Sequence, residues 1–177
     1  ENATATPQKA FDGAHTVVES EFKIGRHTGV TLEPRVIIAD WNGGEGELTA
    51  HVSNQAPHML QVLLAKHMGI PESRVRVICG DVGGSFGVKV HVYPDEVATA
   101  AIAKIMGRPV KFCADRLESF TSDIHARDHE ATGRIAVDES GKILGFDVDD
   151  WTGIGPYSIY PRTSAVEGLQ VLSLIHI

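Results

Sequence analysis

The stretch VRVICGDVGGSFGVK, residues 75–89, decides how this chain is interpreted. An apolar run ends at Cys79 and is followed by a loop that contains four glycines, Gly80, Gly83, Gly84 and Gly87. Glycines at this density allow positive φ and let backbone N–H groups approach a bulky polar or anionic ligand. A second polar turn, SNQAPH at residues 53–58, precedes an apolar helical pattern. We predict that the two loops form halves of one ligand site.

The glycine loop matches neither of the common phosphate-binding motifs. Lys89 follows Val88 and is not followed by Ser or Thr, so the P-loop pattern fails. The spacing of Gly80, Gly83 and Gly84 does not give G-x-G-x-x-G at the start of a helix, so the dinucleotide pattern fails as well. A plain glycine-rich turn between a strand and a helix is the alternative, and the spacing alone does not decide between them.

The composition indicates a globular protein without an affinity for polyanions. The chain has 177 residues, of which 42% are hydrophobic and 22% charged, and its net charge is −7. These values suit one domain or a large part of one, and they argue against nucleic acid or an anionic membrane as a partner. No apolar run reaches the roughly 18 residues of a transmembrane helix. Cys79 and Cys113 lack CxxC spacing, which predicts buried thiols in a reducing compartment and a cytoplasmic location.

The two ends of the sequence predict an internal piece of a larger protein. Residues 1–9 are polar and mixed, which indicates a linker, and the chain begins at Glu1 without a signal-peptide pattern. The last six residues, LSLIHI at 172–177, resemble the translation of a sequencing adapter and are excluded from the fold; a natural apolar strand is the alternative. We therefore expect a partial ligand-binding domain over residues 10–171.

Hydrophobic periodicity predicts a mixture of strands and helices. Alternating or short apolar runs indicate strands at residues 15–24, 35–41, 47–52, 75–79, 109–113, 128–137 and 142–151, with hairpin turns at 42–46 and 138–141. Wider apolar faces indicate helices at 57–68 and 94–106, a helical turn at 115–120, and a loop at 153–161. Strands and helices do not alternate as strict βαβ units, so the predicted fold class is α+β.

Few polar side chains stand out as chemical candidates. Gln55 precedes a helix, where its carbonyl can be held by the protein while its NH2 group donates into a cavity, although most glutamines are surface residues. Metal-ligand types cluster in an extended pattern that is typical of a solvated polar edge, at Asp123, His125, Asp128 and His129, so we predict no metal ligands. The carboxylates of Asp95-Glu96 suit a helix N-terminus and need no catalytic explanation.

Taken together, three segments resemble a known family. These are EPR at residues 33–35, SNQAPH at 53–58 and GGSFGVK at 83–89. They are similar to the molybdenum-binding large subunit of the xanthine dehydrogenase family, which includes aldehyde oxidases, N-heterocycle hydroxylases and aerobic carbon monoxide dehydrogenases. GGSFG looks closest to the carbon monoxide dehydrogenase branch. The resemblance continues through GRPVK at 107–111 and covers residues 10 to about 171.

The resemblance implies an oxidoreductase that binds molybdenum through molybdopterin, in its cytosine dinucleotide form. Such enzymes oxidise a small carbonyl compound, a heterocycle or carbon monoxide with oxygen from water. Their electrons leave through an iron–sulfur small subunit and an FAD-binding medium subunit, in a dimer of heterotrimers. The catalytic Glu of the family lies outside this sequence, so the chain alone is expected to be inactive.

The resemblance also implies the roles of individual residues. Gln55 would hydrogen-bond an oxo ligand of the molybdenum, and the loop residues would contact the cofactor, namely Gly83, Gly84, Ser85, Phe86 and Gly87. Val90 stands where some relatives carry a substrate-binding Glu, which argues against a purine substrate. Two other readings remain open: a non-enzymatic glycine-rich α+β module for another ligand, and a family member that has lost its catalytic Glu.

Overall fold

The computed structural model describes residues 7–153, which divide into two compact units. The first unit comprises the described residues 7–27 and 126–153, and the second comprises residues 28–125. The segment 172–177 and nearly all of the predicted loop at 153–161 lie outside the described residues. The limits predicted for the partial domain therefore stay a prediction.

The described elements follow the chain in an irregular order of helices and strands. They are α1 (Pro7–Asp12), β1 (Thr16–Ile24), β2 (Val36–Asn42), β3 (Glu47–Val52), α2 (Pro57–Met68), β4 (Val75–Ile78), α3 (Pro94–Met106), β5 (Val110–Cys113), α4 (Arg116–Ser122), β6 (His129–Val137) and β7 (Ile143–Thr152). Short 3₁₀ turns occur at Glu72–Arg74 and Val88–Val90. The predicted α+β class is confirmed, and the bounds of α2 and α3 are those that the sequence predicts.

The first unit is a three-stranded antiparallel sheet in the order β1-β6-β7. Strands β6 and β7 form the predicted hairpin, whose turn is held by the carboxylate of Asp138, which accepts the N–H groups of Ser140 and Lys142 at 2.8 and 3.0 Å. Strand β1 pairs with β6 along its whole length, although more than a hundred residues separate them in the chain. Alternation within each strand could not predict that partner.

Helix α1 begins inside the stretch that the sequence predicts to be a linker, residues 1–9, whose limits stay a prediction. The C-terminal half of this short helix, beyond that stretch, packs on the sheet of the same unit. A Cβ atom built on Gly145 of β7 would lie only 3.0 Å from Cβ of Ala10, and the guanidinium of Arg134 lies 4.7 Å from the ring centroid of Phe11. Packing of this kind overrides a weak local propensity.

The second unit is a four-stranded mixed sheet in the order β4-β3-β2-β5, covered by α2 and α3. Strands β2 and β3 form the predicted hairpin, and β3 and β4 run parallel with α2 as the crossover between them. The core is built from alternating strand residues and the inner faces of both helices, with Ile37, Leu48, Leu60, Leu64 and Ala100 fully buried. Within residues 7–153, no helix is long and apolar enough to span a bilayer.

A buried arginine links the strands of this unit to its helices. Arg35, just before β2, is 1% exposed and makes a bidentate ion pair with Asp95 of α3, with N–O distances of 2.6 and 2.7 Å. Its Nε also donates to Asp123 at 2.6 Å, and the guanidinium carbon lies 3.7 Å from the ring centroid of Tyr93. The prediction that Asp123 lies on a solvated edge is therefore wrong, since a buried cation requires its charge.

The prediction of two buried thiols is also wrong. Cys79 is partly buried, and its Sγ lies 2.8 Å from the carbonyl oxygen of Asn54. Cys113 is exposed at the end of β5, an edge strand in the described sheet. Both cysteines of the chain are free, so no disulfide joins them.

Glu96 provides a pH test of the fold. It is 2% exposed at the start of α3, where its carboxylate accepts the N–H of Tyr93 at 3.1 Å. Burial raises the pKa of Glu96 to about 7, although that hydrogen bond and the charge of Arg35 oppose the shift. A carboxyl group with a raised pKa takes up a proton on folding, so its favourable contribution is present at low pH and is lost as the pH rises from 4.5 to about 7.

We therefore expect Glu96→Gln to stabilise this chain increasingly over that pH interval, by on the order of 1–3 kcal/mol at its upper end, with no further gain above it. Glutamine keeps an oxygen for the N–H of Tyr93 and carries no charge to bury. Thermal midpoints measured from pH 4.5 to 8.5 test this. The control is Glu118→Gln, at the matching but exposed position of α4. A smaller gain at Glu96 than at Glu118 would contradict the assignment.

Candidate functional site

The parallel pairing of β3 and β4 brings the two predicted loops together. Parallel strands have their carboxyl ends at the same edge of a sheet, so the segments that follow them are neighbours. Ser53, Asn54 and Gln55 follow β3 directly, and the glycine loop follows β4. The structure thus places Gln55 beside residues 83–87, as the motif analysis predicts.

The side chain of Gln55 is held by its carbonyl. Its Oε1 accepts the backbone N–H of Gly87 at 3.2 Å and the hydroxyl of Ser85. Because a backbone N–H can only donate, the atom that faces it is the amide oxygen, which fixes the orientation of the amide. The Nε2 group makes no hydrogen bond to any residue within 7–153, and the residue is exposed. A neutral donor is therefore available at a fixed place.

The backbone of the loop is left-handed at three positions. Gly84 has φ +96°, Phe86 has φ +50° and Gly87 has φ +86°. Positive φ is ordinary for glycine but uncommon for phenylalanine, and such conformations concentrate at ligand sites. The density of glycines in the sequence predicts positive φ in this loop, but the sequence contains no signal for the conformation of Phe86. Phe86 is also 76% exposed, so the loop presents an apolar ring outward.

A buried ion pair lies beneath the loop. Lys89 is 1% exposed, and its Nζ donates to Oε2 of Glu33 and to Oγ of Ser53, both at 2.8 Å. The same Glu33 oxygen accepts the hydroxyl of Ser53 at 2.5 Å and the N–H of Gly83 at 2.8 Å. Partial burial would raise the pKa of Glu33, but the hydrogen bonds from Lys89, Ser53 and Gly83 lower it to about 2.

Reasoning from the sequence missed this ion pair as part of the site. One signal was present: Lys89 lies between Val88 and Val90, and a lysine in an apolar run is rarely buried without a partner. The identity of the partner has no local signal, because Glu33 lies far away in the sequence.

The four candidate metal-ligand types do not form one cluster. Asp123 and His125 belong to the second unit, where Asp123 pairs with Arg35. In the first unit, Asp128 pairs with Arg26 at 2.7 Å and His129 lies 3.1 Å from Asp150. Within the described residues, no group of three or more His, Cys, Asp or Glu side chains could hold a metal ion.

A glycine loop with a fixed neutral donor, at the carboxyl edge of parallel strands, is typical of proteins that bind a large polar cofactor. The chain belongs to the molybdopterin cofactor-binding domain family, whose model matches residues 2–173. The resemblance to molybdenum-binding subunits of the xanthine dehydrogenase family is thereby confirmed.

Named relatives support the assignment over most of the chain. The carbon monoxide dehydrogenase large chain of Hydrogenophaga pseudoflava is 35% identical over 145 residues, which are 82% of this chain and 18% of that protein. The nicotine 6-hydroxylase large subunit of Paenarthrobacter nicotinovorans is 35% identical over 159 residues, which are 90% of this chain and 20% of that protein. The chain therefore spans about a fifth of the length of these relatives.

A solved structure shows the same fold. Quinoline 2-oxidoreductase from Pseudomonas putida 86 superposes with a TM-score of 0.84 at 30% sequence identity. The match covers 89% of this chain and 20% of that one. Similarity therefore extends over the described residues and is not confined to the motifs.

The residues of the loop fit a molybdopterin cofactor. Such a group is polar and bulky, so it needs hydrogen-bond donors on a backbone that it can approach closely. Within residues 7–153, the N–H groups of Ser85 and Phe86 have no protein acceptor, and a Cβ built on Gly87 would meet no atom within 4 Å. Gln55 adds a donor without charge. The described loop thus offers the donors and the space at Gly87 that such a group needs.

Gly83 offers a test of how the loop is seated. A Cβ at this position would lie 2.6 Å from Cβ of Glu33, a distance that forces the backbone apart. Gly83→Ala should therefore weaken two hydrogen bonds between these residues. In one, the N–H of Gly83 donates to Oε2 of Glu33 at 2.8 Å, and in the other, the N–H of Glu33 donates to the carbonyl oxygen of Gly83 at 3.1 Å. We expect a loss of roughly 1–3 kcal/mol in the free energy of unfolding.

The matched control is Gly80→Ala in the same loop. No atom of the described residues lies within 4 Å of a Cβ built on Gly80, so this change should stay within about 0.5 kcal/mol of the parent. Denaturant midpoints of the two variants make the comparison. Equal midpoints would show that the loop does not rest on Glu33.

Proposed function

We propose that the protein containing this chain is the large subunit of a molybdenum hydroxylase. The supporting observation is the pairing of a carbonyl-held Gln55 with a left-handed glycine loop in a domain of the molybdopterin-binding family. The bound cofactor would supply two-electron redox chemistry, and this chain would hold and orient it. The catalytic Glu and most of the substrate pocket would lie outside this sequence.

In this proposal Gln55 donates a hydrogen bond to the cofactor, and the glycine loop contacts the cofactor through its backbone. The amide of Gln55 would donate from Nε2 to an acceptor atom of the cofactor, while its oxygen stays on Gly87. Gly83 would seat the loop on Glu33, and Gly84 and Gly87 would supply its left-handed conformations, with open space at Gly87. Ser85 and Phe86 would offer their N–H groups, and the Phe86 ring would pack on the cofactor. A neutral amide suits an oxygen acceptor, because it donates without adding a charge to the site.

The proposed reaction adds oxygen from water to a small substrate. A heterocycle or aldehyde R–H and water would give R–OH with two protons and two electrons; carbon monoxide and water would give carbon dioxide with the same release. The names of the relatives point to such substrates, carbon monoxide and nicotine among them. Valine at position 90 supports a substrate other than a purine.

The two electrons released by the reaction must pass to an acceptor, so we propose partner subunits that carry redox cofactors. An iron–sulfur small subunit and an FAD-binding medium subunit would complete a heterotrimer, and two heterotrimers would form a dimer. The printed names "large chain" and "large subunit" of the relatives support a multi-subunit assembly. We further propose the cytosine dinucleotide form of the cofactor and a cytoplasmic location, the latter supported by the two free cysteines.

The function is tested on the complete protein expressed with its neighbouring subunits. Metal analysis should find about one molybdenum per large subunit, and acid release should yield the cytosine nucleotide. Oxidation of carbon monoxide, nicotine, quinoline and benzaldehyde should be followed with an artificial electron acceptor. A protein that folds with its partners but contains no molybdenum would contradict the proposal and favour a module for another ligand.

The donor role of Gln55 predicts that two different substitutions are equally damaging. Gln55→Ala removes the whole amide, whereas Gln55→Glu keeps an oxygen for the N–H of Gly87 and replaces the NH2 donor by an anionic oxygen. If the donor matters most in the transition state, both variants should retain molybdenum and lose about 10²-fold in turnover. Metal content and kcat are measured on the same preparations.

Gln61→Ala is the control for these variants. Gln61 lies on α2 and donates to the carbonyl oxygen of Val75 at 2.8 Å, so its removal affects packing but no atom of the site. Turnover should stay within about threefold of the parent. Full activity of Gln55→Glu would show that the amide oxygen, and not the donor, is the useful part of the residue.

A further inference from the structure

We propose that Lys89 is a positioning residue: its buried ion pair with Glu33 fixes Gln55 relative to the glycine loop. The inference rests on the proposed function, because the position of Gln55 matters only if it meets a cofactor. Lys89 itself is 1% exposed and does not reach the open face of the loop. Its effect would therefore pass through the residues that it holds.

Lys89 contacts both halves of the site. Its carbonyl oxygen accepts the backbone N–H of Gln55 at 3.2 Å, and its Nζ donates to Oγ of Ser53 at 2.8 Å. Its own N–H donates to Oγ of Ser85 at 3.3 Å, and that hydroxyl in turn donates to Oε1 of Gln55. The backbone of Lys89 thus holds the backbone of Gln55 and the hydroxyl that orients its side chain, while the side chain of Lys89 anchors this backbone to Glu33 and Ser53.

Glu33 closes the network from the opposite side. Its Oε2 accepts from Lys89, Ser53 and Gly83, at distances between 2.5 and 2.8 Å. The backbone N–H of Glu33 also donates to the carbonyl oxygen of Gly83 at 3.1 Å. The carboxylate therefore joins the segment after β3 to the loop after β4, and Lys89 supplies the charge that keeps it there.

The geometry of Gln55 depends on this network because its side chain is exposed and, within residues 7–153, is held by two hydrogen bonds that its Oε1 accepts. Both contacts come from the loop, at Ser85 and Gly87. If the loop moves, the amide moves with it. Displacements of about 1 Å in a positioned group can reduce turnover by about 10²-fold. Loss of the ion pair should therefore appear as loss of function at Gln55.

Lys89→Met is the direct test. Methionine is unbranched and apolar, so it can fill the buried space of the lysine stem. Glu33 would keep Ser53 and Gly83 as donors, and its side chain is 35% exposed, so the lone carboxylate remains partly solvated. We expect the complete protein to keep more than about half of its molybdenum while kcat falls by about tenfold or more.

A double-mutant cycle separates positioning from a merely structural role. In a background of Gln55→Ala, Lys89→Met should lower kcat by less than about twofold, because the residue through which it acts is already gone. The electron paramagnetic resonance spectrum of the dithionite-treated molybdenum centre gives a second readout, independent of turnover. It should change in Lys89→Met alone and remain that of Gln55→Ala in the double variant.

The control is Glu47→Gln, which removes an exposed ion pair with Arg74. Glu47 begins β3, about 20 Å along the strand from Ser53. This variant should change neither kcat nor the spectrum. If Lys89→Met does not fold or loses all its molybdenum, Glu33→Gln replaces it in the same cycle, because it removes the charge that pairs with Lys89 and keeps an amide oxygen for Ser53 and Gly83.

The outcomes separate the two proposals. The positioning role is overturned if Lys89→Met, or Glu33→Gln where it replaces it, lowers kcat equally in the parent and in the Gln55→Ala background. An unchanged spectrum would overturn it as well. If Gln55→Ala itself leaves kcat and the spectrum unchanged in a molybdenum-replete protein, the donor role in the proposed function fails instead.

Discussion

The parallel pairing of β3 with β4 is the constraint on which the candidate site depends. Two parallel strands need a crossover, and α2 supplies it on the covered face of the sheet. The carboxyl ends of both strands then lie at one edge, so residues 53–55 and the glycine loop have to be neighbours. Leu60 and Leu64 bury the crossover helix against the sheet, and this burial keeps the pairing in register.

Two buried cations fix the positions of the segments that the strand pairing brings together. Arg35 is neutralised by two carboxylates and Lys89 by one. Buried ion pairs are weak sources of stability, because desolvation offsets most of the attraction. Their contribution here is geometric, since each cation joins segments that are distant in the sequence.

Tyr93 connects the two cations. Its ring lies against the guanidinium of Arg35, and its hydroxyl donates to the carbonyl oxygen of Val88 at 2.8 Å. Val88 immediately precedes Lys89. One aromatic side chain therefore contacts both the buried Arg35 and the backbone next to the Lys89–Glu33 ion pair. Burial raises the pKa of the Tyr93 phenol, so its proton remains for the bond to Val88 at neutral pH.

Local sequence signals predicted most helices and strands of this fold. They did not predict the contacts between residues that are far apart in the chain. Proline in the first turn and a left-handed glycine after the last turn define α2 and α3, with Gly69 at φ +65° and Gly107 at φ +60°. The motifs predicted that Gln55 and the glycine loop would meet. The pairing of β1 with β6 and the partnership of Lys89 with Glu33 depend on residues far apart, which periodicity does not relate.

The left-handed Phe86 has a thermodynamic consequence for assembly. Its unfavourable conformation is held by protein hydrogen bonds on both sides, so the loop takes its shape when the chain folds. An incoming cofactor would meet a receptor whose conformational entropy has already been lost, and its affinity would reflect contacts with little penalty for ordering. The folded chain would then present a preorganised binding site that selects its cofactor by shape.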